Sequence, residues 1–143
     1  MADRDMTQDP VANQLVGKCF TLNQDAVLVG FGDAPLQILY VPIAGGPLDN
    51  PEYMRRVKLH VTDHVPRAST LYVTRLIDRF HGEEVRLWDV YAQLHKPNGE
   101  SIEALVAASE LHQSWLVEWR SRVTGDRPQF ANTYVRPCGA VAP

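Results

Sequence analysis

The chain alternates between short apolar runs and turn-forming clusters, and its rhythm changes only towards the C-terminal end. Cys19-Phe20-Thr21-Leu22 and Ala26-Val27-Leu28-Val29 are apolar and β-favouring, with the turn-like Asn23-Gln24-Asp25 between them. Gly30-Phe31-Gly32-Asp33-Ala34-Pro35 breaks the pattern, and Leu36–Val41 follows as a strand expected to be buried on both faces. Gly45-Gly46-Pro47-Leu48-Asp49-Asn50-Pro51 reads as a surface loop. Asn50 is placed to cap a short helix that starts at Pro51, where the missing amide costs nothing, and runs to about Arg56. Val57-Lys58-Leu59-His60-Val61 alternates and predicts a strand.

The second half is more regular. Thr70–Phe80 is β-branched and aromatic, His81-Gly82 turns the chain, and Val85–Leu94 is the next strand. Lys96-Pro97-Asn98-Gly99 forms a hairpin turn in which Gly99 is free to take positive φ, and Ile102–Ala107 completes a three-stranded meander. Both longer strands lose their alternation midway. Leu71 and Val73 share one face and Leu76 takes the other; Val85 and Leu87 are followed by Trp88, Val90, Ala92 and Leu94 on the opposite face. A one-residue slip of this kind is the mark of a β-bulge, and bulges bend sheets. From Ser109 the period becomes helical, with Leu111, Trp115 and Trp119 at i, i+4 and i+8, Ser109 as the N-cap and an end near Val123 before Gly125 and Pro128. A rival reading starts this helix at Ser101 and absorbs the last strand.

These elements predict a mainly β domain of the α+β kind. Its core is a curved antiparallel sheet or small barrel of five to six strands, with a C-terminal helix near 109–123. Residues 1–13 are polar and without period, which predicts a loose tail, and 14–143 form a single β-rich domain. A length of 143 residues with 45% hydrophobic and 22% charged positions suits one soluble globular unit. The formal net charge is −3, and the basic residues are not concentrated in either half, so the cationic surplus that a nucleic-acid binder uses to displace counterions is not there. The longest apolar stretch, Leu36–Ala44, is about half of what a membrane-spanning helix needs. Met1–Met6 is acidic and has no signal-peptide character. Cys19 and Cys138 are either two separate buried thiols or a disulfide joining the ends; the disulfide would imply an oxidising compartment, the periplasm or cell envelope, and its absence the cytoplasm.

Chemistry-bearing residues do not assemble into a recognisable catalytic set. His60 and His64 would share a helix face and grip zinc, but Val61, Thr62 and Val65 favour a strand, on which the imidazoles stand about 13 Å apart. Glu83, Glu84, Glu100 and Glu103 flank turns, where carboxylates are ordinarily solvated. The serines lack a glycine-framed elbow, and Gly30-Phe31-Gly32 lacks the third glycine and the following helix of a phosphate loop. No catalytic residue, cofactor or metal is assigned. Trp88, Trp115 and Trp119 are expected to fill the contact between helix and sheet.

Val61–Val73, centred on Val65-Pro66-Arg67-Ala68-Ser69-Thr70-Leu71-Tyr72-Val73, resembles the turn and strand of bacterial SH3-like β-barrels, with Ala68 where those have a small residue, often glycine. Leu15–Phe20 and Gln24–Val29 look like small bacterial envelope proteins of unknown function that carry such barrels. The resemblance implies a non-catalytic binding or protein-interaction role, with another protein or an envelope component as partner. Leu71–His112, with Asn98-Gly99-Glu100 in its turn and Ala108-Ser109-Glu110-Leu111-His112 at its end, is also similar to the meander of hotdog-fold acyl-CoA thioesterases, which would imply thioester hydrolysis. The favoured expectation is the binding role, with the Gly45–Tyr53 loop and exposed aromatic residues as the contact surface, and Pro47, Tyr53 and Trp88 as its partner-binding residues.

Overall fold

Apolar runs bounded by turn formers become short strands, and the order in which the strands pair decides the shape. The computed structural model describes residues 4–8, 14–40, 51–78 and 89–142. Among the described residues the elements are β1 (Arg4–Asp5), β2 (Cys19–Leu22), β3 (Ala26–Val29), β4 (Gln37–Tyr40), α1 (Pro51–His60), β5 (Val61–Val65), β6 (Thr70–Asp78), β7 (Asp89–His95), β8 (Ser101–Val106), α2 (Ala108–Thr124) and β9 (Val135–Pro137). They form one mixed sheet in the order β5-β3-β4-β8-β7-β6-β2-β9, with β1 also paired to β6. The fold is mainly β with a C-terminal helix, as the periodicity predicts.

Two antiparallel blocks make up this sheet, β5-β3-β4 and β8-β7-β6-β2-β9. A short parallel contact joins them, where Gln37 of β4 lies opposite Leu105 of β8 and the Leu105 amide donates to the Leu36 carbonyl at 2.7 Å. The sheet is therefore neither purely antiparallel nor limited to five or six strands. Alternation along a strand says which face is buried and is silent about the direction of its neighbour, so this contact has no signature in the sequence.

The connections force the sheet to curl. β2 and β3 are five steps apart in the sheet, about 24 Å if it were flat. The three residues between Leu22 and Ala26 reach at most about 14 Å. β5 and β6 are also five steps apart and are linked by four residues. Only a strongly bent sheet brings these ends together. Side chains confirm it: Lys96, in the turn after β7, pairs with Asp63 on β5, and Tyr40 on β4 stacks on Tyr134, just before β9, with ring centroids 4.7 Å apart.

Among the described residues the curl stops short of a barrel: β5 and β9 are the two margins and do not pair with each other, so of the two expected forms, curved sheet or small barrel, the unclosed curved sheet is the one realised. At that gap the C-terminal segment hydrogen-bonds to a turn instead of to a strand. Asn23 Nδ2 donates to the carbonyls of Phe130 and Thr133, its backbone amide donates to the Tyr134 carbonyl at 2.8 Å, and its Oδ1 accepts from Arg136. Lys96 is buried at the base of the opposite block, with Asp63 and Glu100 as its anions. Its hydrogen bond, followed by that from the His64 amide, holds the Asp63 carboxyl below its ordinary range.

The predicted bulge is present. The β6–β7 register shifts between Val73 and Arg75, and Leu71, Val73 and Leu76 are all buried. The corresponding slip at Val85–Trp88 lies outside the described residues. Two other expectations change. Within the segment expected to be a loose tail, Arg4–Asp5 pairs with β6, Arg4 forms an ion pair with the buried Asp78, and the Met6 amide donates to the Leu76 carbonyl at 2.8 Å. Helix α1 runs through Val57 to His60, where a strand was expected. Its straight-chain residues Glu52, Met54, Arg55, Arg56, Lys58 and Leu59 favour helix, and Glu52 in the first turn and Lys58 and His60 in the last suit the helix dipole. Leu22, Leu28, Leu71, Leu76, Leu94, Leu111, Val65, Val90 and Val135 are all fully buried and belong to one continuous hydrophobic cluster, so the two blocks and the start of α2 share a single core.

Candidate functional site

Helix α2 carries the residues that the core does not explain. It begins after Ala107, which is extended and offers no side-chain cap, and it ends at Gly125, whose φ of 76° is the left-handed turn that lets its amide donate back to the Ser121 carbonyl. Ser109, the expected N-cap, lies one residue inside the helix. The strand Ser101–Val106 precedes it, so the rival reading of a helix from Ser101 does not hold.

The buried residues of α2 are Ala108, Leu111 and Ser114. The expected face of Leu111, Trp115 and Trp119 is not the one that packs: Trp115 is partly buried and Trp119 is 46% exposed. At about 100° per residue an i, i+4, i+8 series drifts by about 40° per step, so Trp119 lies about 80° from Leu111 around the axis. Ala108 and Ser114, at three-residue spacing from Leu111, are small enough to let the helix approach the sheet. Beyond Ser114 no residue of α2 is fully buried.

The inner face of α2 therefore meets the sheet through one leucine and two polar side chains. Ser114 is completely buried and its Oγ has no hydrogen-bond partner. Glu110, one turn earlier, is half-buried. Burial pushes its carboxyl above the ordinary carboxylate range, and the nearby Tyr134 backbone amide offsets only part of the effect. Among the described residues no cation is paired with it. Tyr40 on β4 is 8% exposed, with its ring stacked on Tyr134 and its hydroxyl unpartnered. Burial, then the Glu110 carboxylate, then Tyr134 raise the Tyr40 phenol well above its ordinary value.

Three residues from distant parts of the chain meet at this seam between α2 and the sheet: β4 supplies Tyr40, α2 supplies Glu110, and the segment before β9 supplies Tyr134. Tyr134 is fixed from both sides, since its carbonyl accepts from Asn23 and the following strand β9 pairs with β2. Cys19 and Cys138 extend that pairing. Their Cα atoms are 5.4 Å apart and their sulfurs form a disulfide closing a sequence separation of 119 residues, and the Cys138 amide donates to the Cys19 carbonyl at 3.0 Å. Of the two readings of the cysteines, the joined one is realised.

The residues expected to bind a partner are not brought into this arrangement. Pro47 and Trp88 lie outside the described residues, as do 45–50 of the expected contact loop. Tyr53 falls within α1, and its side chain is outside them too. His60, at the end of α1, packs on Phe31 with ring centroids 4.7 Å apart, and His64 is on β5. Glu100 pairs with Lys96 and Glu103 with Arg75 at 3.2 Å, whereas Glu83 and Glu84 are outside the described residues. Sequence reasoning passed over Tyr40, Glu110, Ser114 and Tyr134. The one available signal was Ser114, a hydroxyl three residues from Leu111 on the face that packs.

To one side of the packed face, the second half of α2 presents Trp119 and Val123, the latter 67% exposed, with Trp115 and Leu116 partly buried beside them. Arg120 and Arg122 are exposed and flank this stripe on its two sides. No protein-family model, curated protein or solved structure matches the chain.

Proposed function

We propose that this chain is a non-catalytic binding domain of an oxidising compartment, with the periplasm or cell envelope as its setting, and that it engages another protein or an envelope component through the exposed stripe on the second half of α2. The observation that carries this reading is the pair Trp119 and Val123, one helical turn apart and 46% and 67% exposed on a helix whose first half is already packed. A tryptophan exposed to that extent on a rigid helix is an anchor with large contact area and little rotamer entropy to lose. Arg120 and Arg122 on the flanks favour a partner whose apolar contact is rimmed by carboxylates or phosphates. The Cys19–Cys138 disulfide supports the compartment.

The test is site-specific photocrosslinking from position 119 in the cells of origin, followed by binding measurements with the captured partner. Trp119→Ala and Val123→Ser are expected to weaken binding at least tenfold, and Leu59→Ser, which alters an 82% exposed leucine elsewhere, to leave it unchanged. Equal binding by the Trp119→Ala variant would overturn this assignment.

A further inference from the structure

The apolar arc of α2 is not the one that the core uses. At about 100° per residue, Trp115, Leu116, Trp119 and Val123 fall within an arc of about 100° around the helix. Exposed His112, stacked on Trp115 with ring centroids 6.0 Å apart, lies in the same arc one turn earlier. The stripe therefore runs about 16 Å along the axis. A helix ordinarily turns an apolar arc of this width to a core. Here the fully packed positions are Ala108, Leu111 and Ser114 instead, and exposure along the stripe grows towards its end: Trp115 and Leu116 are partly buried, Trp119 and Val123 are exposed. Cations frame that end. Arg120 lies about 100° to one side of Trp119 and Arg122 about 60° to the other, and Arg127 follows just beyond the helix. All three are exposed, and among the described residues none forms an ion pair. The acids nearby are Glu118, partly buried beyond Arg122, and Asp126, whose backbone carbonyl accepts from the Ser121 hydroxyl.

We infer that the stripe docks on an anionic lipid surface, with Trp119 and Val123 at the acyl boundary and Arg120, Arg122 and Arg127 on headgroup phosphates. This rests on the reading of the stripe as the contact surface of the chain and names its partner. A guanidinium pairs with phosphate oxygens through two N–H donors at once, and its long stem lets it reach outwards beside apolar groups. Tryptophan suits the same boundary, because its ring is apolar and its N–H is a donor. An apolar stripe framed by unpaired guanidiniums matches a surface that is oily within and anionic at its rim, which is the arrangement of a helix lying in a membrane interface. No helix among the described residues is long and apolar enough to cross a membrane. With so few apolar side chains, the attachment by α2 is reversible and weakens as salt is raised.

The test is co-sedimentation of the oxidised chain with vesicles of equimolar phosphatidylglycerol and phosphatidylcholine, against vesicles of phosphatidylcholine alone. Saturable binding is expected to the anionic vesicles, about tenfold or more weaker to the neutral ones, and falling with added salt. Trp119→Ala and the double variant Arg120→Gln/Arg122→Gln are each expected to weaken it by about tenfold or more. All three positions are exposed, so these variants keep the fold, and Leu59→Ser is expected to bind as the parent does. No binding to the anionic vesicles, equal binding to the neutral ones, or unchanged binding by both variants overturns the inference. Failure here is separable from failure of the contact surface itself. Should the vesicles not bind while photocrosslinking from position 119 captures a protein that Trp119→Ala binds less well, the stripe remains the contact surface and only the lipid partner falls.

Discussion

The two halves of α2 obey different rules, although one continuous helix carries both. The first half buries Ala108, Leu111 and Ser114 against the sheet and belongs to the core; the second half buries nothing completely and leaves Trp119 and Val123 in water. Leu111 is the residue there whose burial favours folding. Ser114 on α2 and Tyr40 on β4 are both buried with unpaired hydroxyls, which oppose folding. Glu110 is a carboxylate held against its preference for water. The lesson is that position in the core does not by itself mean a contribution to stability. The inner face of α2 holds one leucine and two polar side chains, Glu110 and Ser114, that a purely structural role would replace with apolar ones of similar shape.

The largest effect that sharpens this contrast is expected at Leu111. Leu111→Ala leaves a cavity at the meeting of helix and sheet and is expected to lower stability by about 2–5 kcal/mol in urea denaturation. Val123→Ala, three turns on, is expected to change it by less than about 0.5 kcal/mol. Comparable losses at the two sites would abolish the distinction.

Next in size is the disulfide. Replacing Cys19 and Cys138 by serine is expected to cost about 2–4 kcal/mol, since the closed loop spans most of the chain. The loss has a location as well as a size. β9 is only three residues long, and it positions Tyr134, so hydrogen exchange is expected to rise first across residues 125–142 and not in β6–β8. Uniform acceleration over the whole sheet would show that the disulfide serves the core and not the seam.

Acidity probes the seam without touching the core. Glu110 titrates above its ordinary value of 4.5 in the folded protein because it is buried. A raised carboxyl pKa means that the folded state holds the proton more tightly than the unfolded state. Stability from this group is therefore greatest below about pH 4.5 and is lost as pH rises through the folded value. Glu110→Gln is expected to remove that loss and to be the more stable protein at pH 7. A variant less stable than the parent at pH 7 would mean that the carboxylate is a net support.

How much of this was legible in the chain follows the same division. Local rules sufficed for β6 and β7, where the phase slip after Val73 announced the bulge and Lys96–Gly99 announced the turn, with Gly99 at φ 94°. Ala68 is a finer instance. It stands where the SH3-like pattern has a small residue, often glycine, and it takes a φ of 74°, in the left-handed region that glycine enters without cost. The short helical period from Leu111 misled, because i+4 spacing drifts around the axis and the packing face follows Ala108, Leu111 and Ser114. The parallel β4–β8 contact and the curl were out of reach, since both depend on which strands meet and not on what any strand contains. The seam was out of reach for the same reason: Tyr40 and Tyr134 are far apart in sequence and meet only when the sheet bends.

The central claim is that the polar groups under the first half of α2 are not there for stability, and its most direct test is equilibrium urea denaturation of the double variant Tyr40→Phe/Ser114→Ala at pH 7. Removing two buried hydroxyls that lack partners is expected to leave stability unchanged or to raise it by about 1–2 kcal/mol. A loss of more than about 1 kcal/mol would show that both hydroxyls are hydrogen-bonded within the folded chain, and the account of the seam would be wrong.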